Sequence, residues 1–140
     1  MTRQPFSRGQ LAAKALFRLL FVLVVLWALL FLPAGTMAFW EAWVYLAVFC
    51  LAIIFVLVYL LVNDPELLER RMRTKEKNEK QKLILRIGSV FYALTFLVPG
   101  FDRRWGWSQV PVAAVIAAEI LVLLGYAWFL LALRENRYAS

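Results

Sequence analysis

The sequence predicts an all-α, polytopic membrane protein with four transmembrane helices and both termini in the cytoplasm. Three observations carry this reading. Apolar residues make up 64% of the 140-residue chain and charged ones 18%, with a mean hydropathy of +0.72. Soluble domains sit nearer half apolar and a quarter charged. Four apolar runs can each cross about 30 Å of hydrocarbon at about 1.5 Å per helical residue. The 16 Lys and Arg residues divide fourteen to two between the sides that those runs define. The composition also excludes disorder. The absence of histidine excludes acid/base, zinc and haem chemistry of the histidine type, and the single cysteine, Cys50, excludes an intrachain disulfide.

Residues 1–15 form a basic cytoplasmic arm, and residues 16–62 hold the first two spans. The first runs from Leu16 to Leu32 and is closed by Pro33 and Gly35. Its basic start and the small residues Ala34, Gly35 and Ala38 also suit a cleavable signal peptide, but the basic region is long and no A-x-A site follows. The second span runs from Phe39 to Val62 and is uncharged after Glu41. Residues 63–82 are a basic loop, helical at its start: Asp64 can cap, Pro65 suits the first helical position, and Glu66 complements the helix dipole. Glu66/Arg70, Glu69/Arg73, Lys75/Glu79 and Glu76/Lys80 are spaced i,i+4, and Leu67, Leu68 and Met72 are placed to rest on the membrane.

Residues 83–133 hold the remaining spans. The third, Leu83 to Val98, is the shortest, is closed by Pro99-Gly100, and requires Arg86 to snorkel. The fourth, Val110 to Leu133, contains Glu119. The runs lack the apolar/polar alternation of barrel strands, and a helix satisfies its own backbone hydrogen bonds in lipid.

The fourteen-to-two charge split places the basic arm, the long loop and the C-terminal end in the cytoplasm, with only Arg103 and Arg104 outside. Trp40, Trp43, Tyr45, Trp105 and Trp107 cluster at the outer interface, where amphipathic rings anchor. Topology explains most of the basic loop; attraction to anionic lipid headgroups or an acidic substrate is the further reading. Nucleic acid is not expected, since acids interrupt the run and no aromatic residue interleaves it.

Glu119 lies about 13 Å along the fourth span, where an unpaired carboxylate costs several kcal/mol, so it is protonated, paired or facing water. Tyr126, seven residues on, shares its face, and Tyr92 and Thr95 of the third span fall at a similar depth. Gly88, Tyr92, Thr95 and Pro99 make a small and polar stripe suited to close packing. The expectation is an intramembrane polar cluster of Glu119, Tyr126, Tyr92 and Thr95, with Glu119 facing the third span and bonded near Tyr92 or Thr95. Helix glue is favoured over a proton site, because no second ionisable partner lies at that depth. Cys50 reads as inert packing. The chain has no Gly-rich phosphate loop, metal-spaced cluster or nucleophile–base pair, so no catalytic, cofactor-binding or metal-binding residue is assigned.

Three segments carry a resemblance: Asn63-Asp64-Pro65-Glu66-Leu67-Leu68-Glu69-Arg70-Arg71, then Phe101-Asp102-Arg103-Arg104-Trp105-Gly106-Trp107-Ser108 with Pro111, then Glu135-Asn136-Arg137-Tyr138-Ala139-Ser140. In this order the chain after Pro33 resembles the front half of the integral-membrane methyltransferases related to isoprenylcysteine carboxyl methyltransferase and the phospholipid N-methyltransferases. The resemblance implies a multi-span enzyme of the bacterial inner membrane that uses S-adenosylmethionine to methylate a prenylated or lipid-like acceptor. Its family's Gly-x-Tyr…Arg-His-Pro-x-Tyr cofactor element is not in this sequence, so residues 134–140 read as the start of a missing C-terminal half and the chain is expected to be inactive alone. The spans would then supply scaffold and part of a substrate groove. The alternatives are a small four-helix proton-coupled transporter using Glu119, and a non-catalytic subunit with a membrane-protein partner or a second copy of itself.

Overall fold

The computed structural model describes residues 6–73 and 79–135, the side chains of residues 73 and 79–81 apart. Arg3, Lys75, Lys77, Arg137, the pairs Glu69/Arg73, Lys75/Glu79 and Glu76/Lys80, and the 136–140 end therefore lie outside the described residues. Five α-helices follow one another: α1 Arg8–Ala34, α2 Trp40–Asn63, α3 Pro65–Arg73, α4 Glu79–Trp105 and α5 Val112–Glu135. Four of them, all but α3, are long and apolar enough to cross a membrane.

α1 starts two turns before the apolar run, because Ser7 caps it. The Ser7 hydroxyl accepts from the Gln10 amide and the Gln10 side chain accepts from the Ser7 amide, each at 3.2 Å, a reciprocal box that satisfies two orphan donors. Pro33 does not close the helix as expected; it sits inside the last turn. The stop is Gly35, left-handed at φ 64°, whose amide donates to the Phe31 carbonyl at 3.0 Å.

The expected stop at Pro99-Gly100 is also corrected: α4 continues through both residues to Trp105. Proline removes one backbone donor, and here the loss falls where α4 presses on α1. A β-carbon on Gly100 would stand 2.6 Å from the Leu30 carbonyl oxygen and 2.9 Å from the Pro33 β-carbon. The pair is a helix-crossing point, not a terminus. The small stripe does not pack along its whole length, since Gly88 faces open space.

The helices run as two parallel couples. Gly100 of α4 meets Leu30 and Ala34 near the end of α1, so these two run the same way. Phe49 packs on Tyr126, and Val56 and Leu60 share a cluster with Leu133, so α2 and α5 run together in the opposite direction. α1 and α2 form the seam between the couples, filled by Leu26, Leu30, Phe31, Ala42, Leu46 and Phe49. Within it Phe31 lies 4.8 Å from the Trp43 ring and 6.0 Å from Phe39. Were these helices in lipid, with no hydrophobic drive between them, dispersion and close backbone approach would hold this seam.

α3 folds back beneath the bundle. Asp64 Oδ1 accepts from the Leu67 amide at 3.2 Å, and Leu67 and Leu68 are buried against Val56, Leu60 and Leu133. These leucines rest on protein rather than on the membrane, as α3's apolar face finds α2 and α5 first. Two ties reach α1's end of the molecule: the Phe6 amide donates to the Glu69 carboxylate at 3.3 and 3.4 Å, and Arg18 Nη2 donates to the Met72 carbonyl at 3.1 Å. Glu66 and Arg70 approach to 3.8 Å, as their spacing suggests.

No Cα of α4 comes within 8 Å of α5 among the described residues. Leu133 is the one buried residue of α5, and most of that helix's surface faces outward, Trp128 being 77% exposed. Apolar surface on this scale is foreign to a monomer in water and native to one in hydrocarbon. Lys14, Arg18, Arg71, Arg86 and Arg134 gather toward the α3 end, and Arg103 and Arg104 stand at the other.

Candidate functional site

The site lies in the gap between α4 and α5, floored by α2. Val115, Glu119, Val122, Tyr126, Leu130 and Leu133 recur at i+3 and i+4 and are the less exposed face of α5, so that helix turns one narrow stripe inward. Tyr126 sets its ring at 6.0 Å from Phe49, edge to face. Tyr45 packs 6.1 Å from Phe49 and 5.6 Å from Phe96, and Tyr92 packs 4.8 Å from Phe96. Phe49 and Phe96 thus link the rings of three tyrosines.

Those phenols converge. Tyr45 lies within electrostatic range of Tyr92, Tyr126 and Glu119, and Tyr126 within range of Tyr92. Of the residues singled out from the sequence, Glu119, Tyr126 and Tyr92 therefore share one neighbourhood. Thr95 does not join it as a donor: its hydroxyl bonds back to the Phe91 carbonyl of its own helix at 2.9 Å, the usual resort of a helical threonine.

The expected hydrogen bond from Glu119 to Tyr92 or Thr95 is absent among the described residues, and Glu119 Oε2 is buried without a partner. The reason lies in helix placement. α5 packs on α2 and not on α4, which brings Glu119 within electrostatic range of Tyr45 on α2. Tyr45 is the member that sequence reasoning missed, having been placed with the interfacial tryptophans. Its signal was the stripe Tyr45, Phe49, Ala52, Val56 at i+4, i+3 and i+4, which marks the packed face of α2.

Above the cluster the gap widens into a cavity of about 330 Å³ lined in part by Glu41, Asp102, Arg103, Ser108, Gln109 and Val115. Asp102 clasps the turn after α4: its carboxylate accepts the Ser108 amide at 2.7 Å and the Ser108 hydroxyl at 2.5 Å. Gly106, at φ 62°, allows the reversal between them. Arg103 stands 3.9 Å from Glu41 Oε1 and donates to the Ala38 carbonyl at 2.8 Å, while Glu41 Oε2 is buried and unpartnered. Val115 lines this cavity, and Glu119 follows it by four residues, about 6 Å further along the helix. The arrangement gives a polar vestibule at the α4–α5 turn, one helical turn from the Glu119 carboxyl group. Among the described residues no three of Asp, Glu and Cys are grouped to hold a metal ion. Comparison of the chain with family models, with curated proteins and with solved structures gives no match.

Proposed function

We propose that this chain is the membrane-embedded N-terminal part of an S-adenosylmethionine-dependent methyltransferase acting on a lipid-like or prenylated acceptor, seated in a bacterial inner membrane with its α3 end toward the cytoplasm. The observation that carries the reading is where two of its resembling segments fall. Asn63–Arg71 supplies the last residue of α2, the cap Asp64 and most of α3, whose leucines close the base of the bundle. Phe101–Ser108 becomes the Asp102–Ser108 clasp at the opposite end. Both are structural joints rather than slack loops, as segments that define a family architecture should be. The charge asymmetry supports the orientation. A lipid-tailed acceptor would stay in the bilayer while its reactive head reaches an aqueous cofactor at the basic face.

The test is methyl transfer from tritiated S-adenosylmethionine into the solvent extract of membranes, with and without the gene at its native locus. Label that depends on the gene, and is not produced by residues 1–140 alone, is the expected result. Equal label in both strains overturns the reading.

A second reading, proton-coupled transport, is favoured by one observation: Glu119 Oε2 is buried and unpartnered beside a vestibule. In proteoliposomes bearing a pH gradient, it requires solute-driven proton flux that Glu119→Gln abolishes.

A further inference from the structure

A groove of about 280 Å³ opens between α1, α2 and α3. Its walls are apolar: Leu19 from α1, Phe49, Ile53 and Leu57 from α2, and Leu68 from α3. The charged residues that line it are two arginines, Arg18 and Arg71, with no acidic residue beside them. The nearest acids of α3 are turned to other partners, Glu66 to Arg70 at 3.8 Å and Glu69 to the Phe6 amide. Arg71 stands three residues after Leu68, on the same face of α3, so the helix presents an apolar wall and a cationic rim together.

Arg18 occupies a costly place. It lies two residues inside the apolar run that begins at Leu16, where a cation persists by snorkelling or by finding an anion. One of its five donors goes to the Met72 carbonyl, which tethers the group at the groove. The adjoining cavity, which Arg18 also lines, adds Lys14. Two arginines lining an apolar groove, on the side where the basic residues gather, match a phosphate joined to a hydrocarbon tail. The volume, about 280 Å³, falls just below the about 300–1,000 Å³ typical of ligand sites, which suits one chain rather than a bulky ring system.

We propose that this groove is a binding site for an anionic phospholipid of the bilayer, with one acyl chain between α1 and α2 and the phosphate held by Arg18 and Arg71. An inorganic anion would leave the apolar walls unused, so the occupant is the lipid and not free phosphate. The headgroup carries a net negative charge, since a zwitterionic one would bring its ammonium against the same cations. The assignment does not depend on methyl transfer.

The test uses the full chain in mild detergent, titrated with dioleoyl phosphatidylglycerol, dioleoyl phosphatidylcholine or inorganic phosphate, with binding read by native mass spectrometry and thermal stability. Phosphatidylglycerol is expected to bind about tenfold more tightly than phosphatidylcholine, a preference that Arg18→Gln/Arg71→Gln removes. Arg134→Gln, at the same end but outside the groove, should leave it unchanged. Equal response to the two lipids, response to phosphate alone, or full affinity in the double variant overturns the proposal. Should that variant fail to fold, phosphatidylglycerol with a photoreactive acyl chain decides on the unaltered protein. Adducts concentrated on Phe49, Ile53, Leu57 and Leu68 support the site, and adducts spread over the outward faces of α4 and α5 refute it.

Discussion

The Gly100 α-carbon stands so close to the Leu30 carbonyl oxygen that a β-carbon there would be 2.6 Å from it. The obstacle is backbone, which cannot swing aside. Gly100→Ala should therefore force α4 off α1 and cost about 1–3 kcal/mol, the range for overpacking a tight contact. Gly88→Ala, facing open space on the same helix, should instead gain about 0.5–1 kcal/mol from the alanine preference for helix. Unfolding in mixed detergent–SDS micelles measures both, and equal effects would show that the crossing is not at Gly100.

Glu119 has a buried oxygen with nothing bonded to it. Replacing it by Gln should leave stability nearly unchanged, and Glu119→Leu should stabilise by about 1–3 kcal/mol, the cost of an unsatisfied buried polar group. The same SDS titration checks this. Marked destabilisation by leucine would mean that the carboxyl group holds the helices together.

Asp64 caps α3 through the Leu67 amide. Asp64→Ala should cost about 0.5–2 kcal/mol and loosen α3 first. Hydrogen exchange is the direct measurement: amides 67–72 should lose protection while those of α1 and α2 keep it.

Tyr126 joins α5 to the bundle through the Phe49 ring. Tyr126→Phe keeps that edge-to-face contact, worth about 0.5–1.5 kcal/mol beyond burial, and Tyr126→Ala loses it. The alanine variant should be the less stable by at least that amount in the micelle assay. Equal stability of the two would place the attachment of α5 at Leu133 alone.

The orientation is open to a labelling experiment. With Cys50→Ser as background, Glu66→Cys should react with an impermeant maleimide only in inverted vesicles, and Gln109→Cys only in right-side-out ones. The reverse pattern overturns the charge argument.

The four long helices were legible because hydrocarbon imposes one requirement, length without charge, that Leu16–Leu32 or Val110–Leu133 states openly. What lay between them was less so. Pro99-Gly100 spells a terminus in water, yet a glycine also lets two backbones touch, and composition does not distinguish the two uses. Tyr45 carried the marks of an interfacial anchor, and only the position of Phe49 and Phe96 shows that it points inward. Thr95 looked available because its back-bond to Phe91 is invisible in a residue list. Chain order suggested α4 and α5 as mates; their separation follows from α1 and α2 each claiming one of them.

Since α5 packs along a single stripe on α2, with Leu133 alone reaching the leucines of α3 among the described residues, it can change its tilt without disturbing the Gly100 contact across the molecule. A bilayer that thins or thickens would be accommodated first on that flank, by rotation of one rod about the Phe49–Tyr126 pivot. The spacing between Glu119 and Tyr92 would then vary with lipid thickness, while the α1–α4 couple stays rigid.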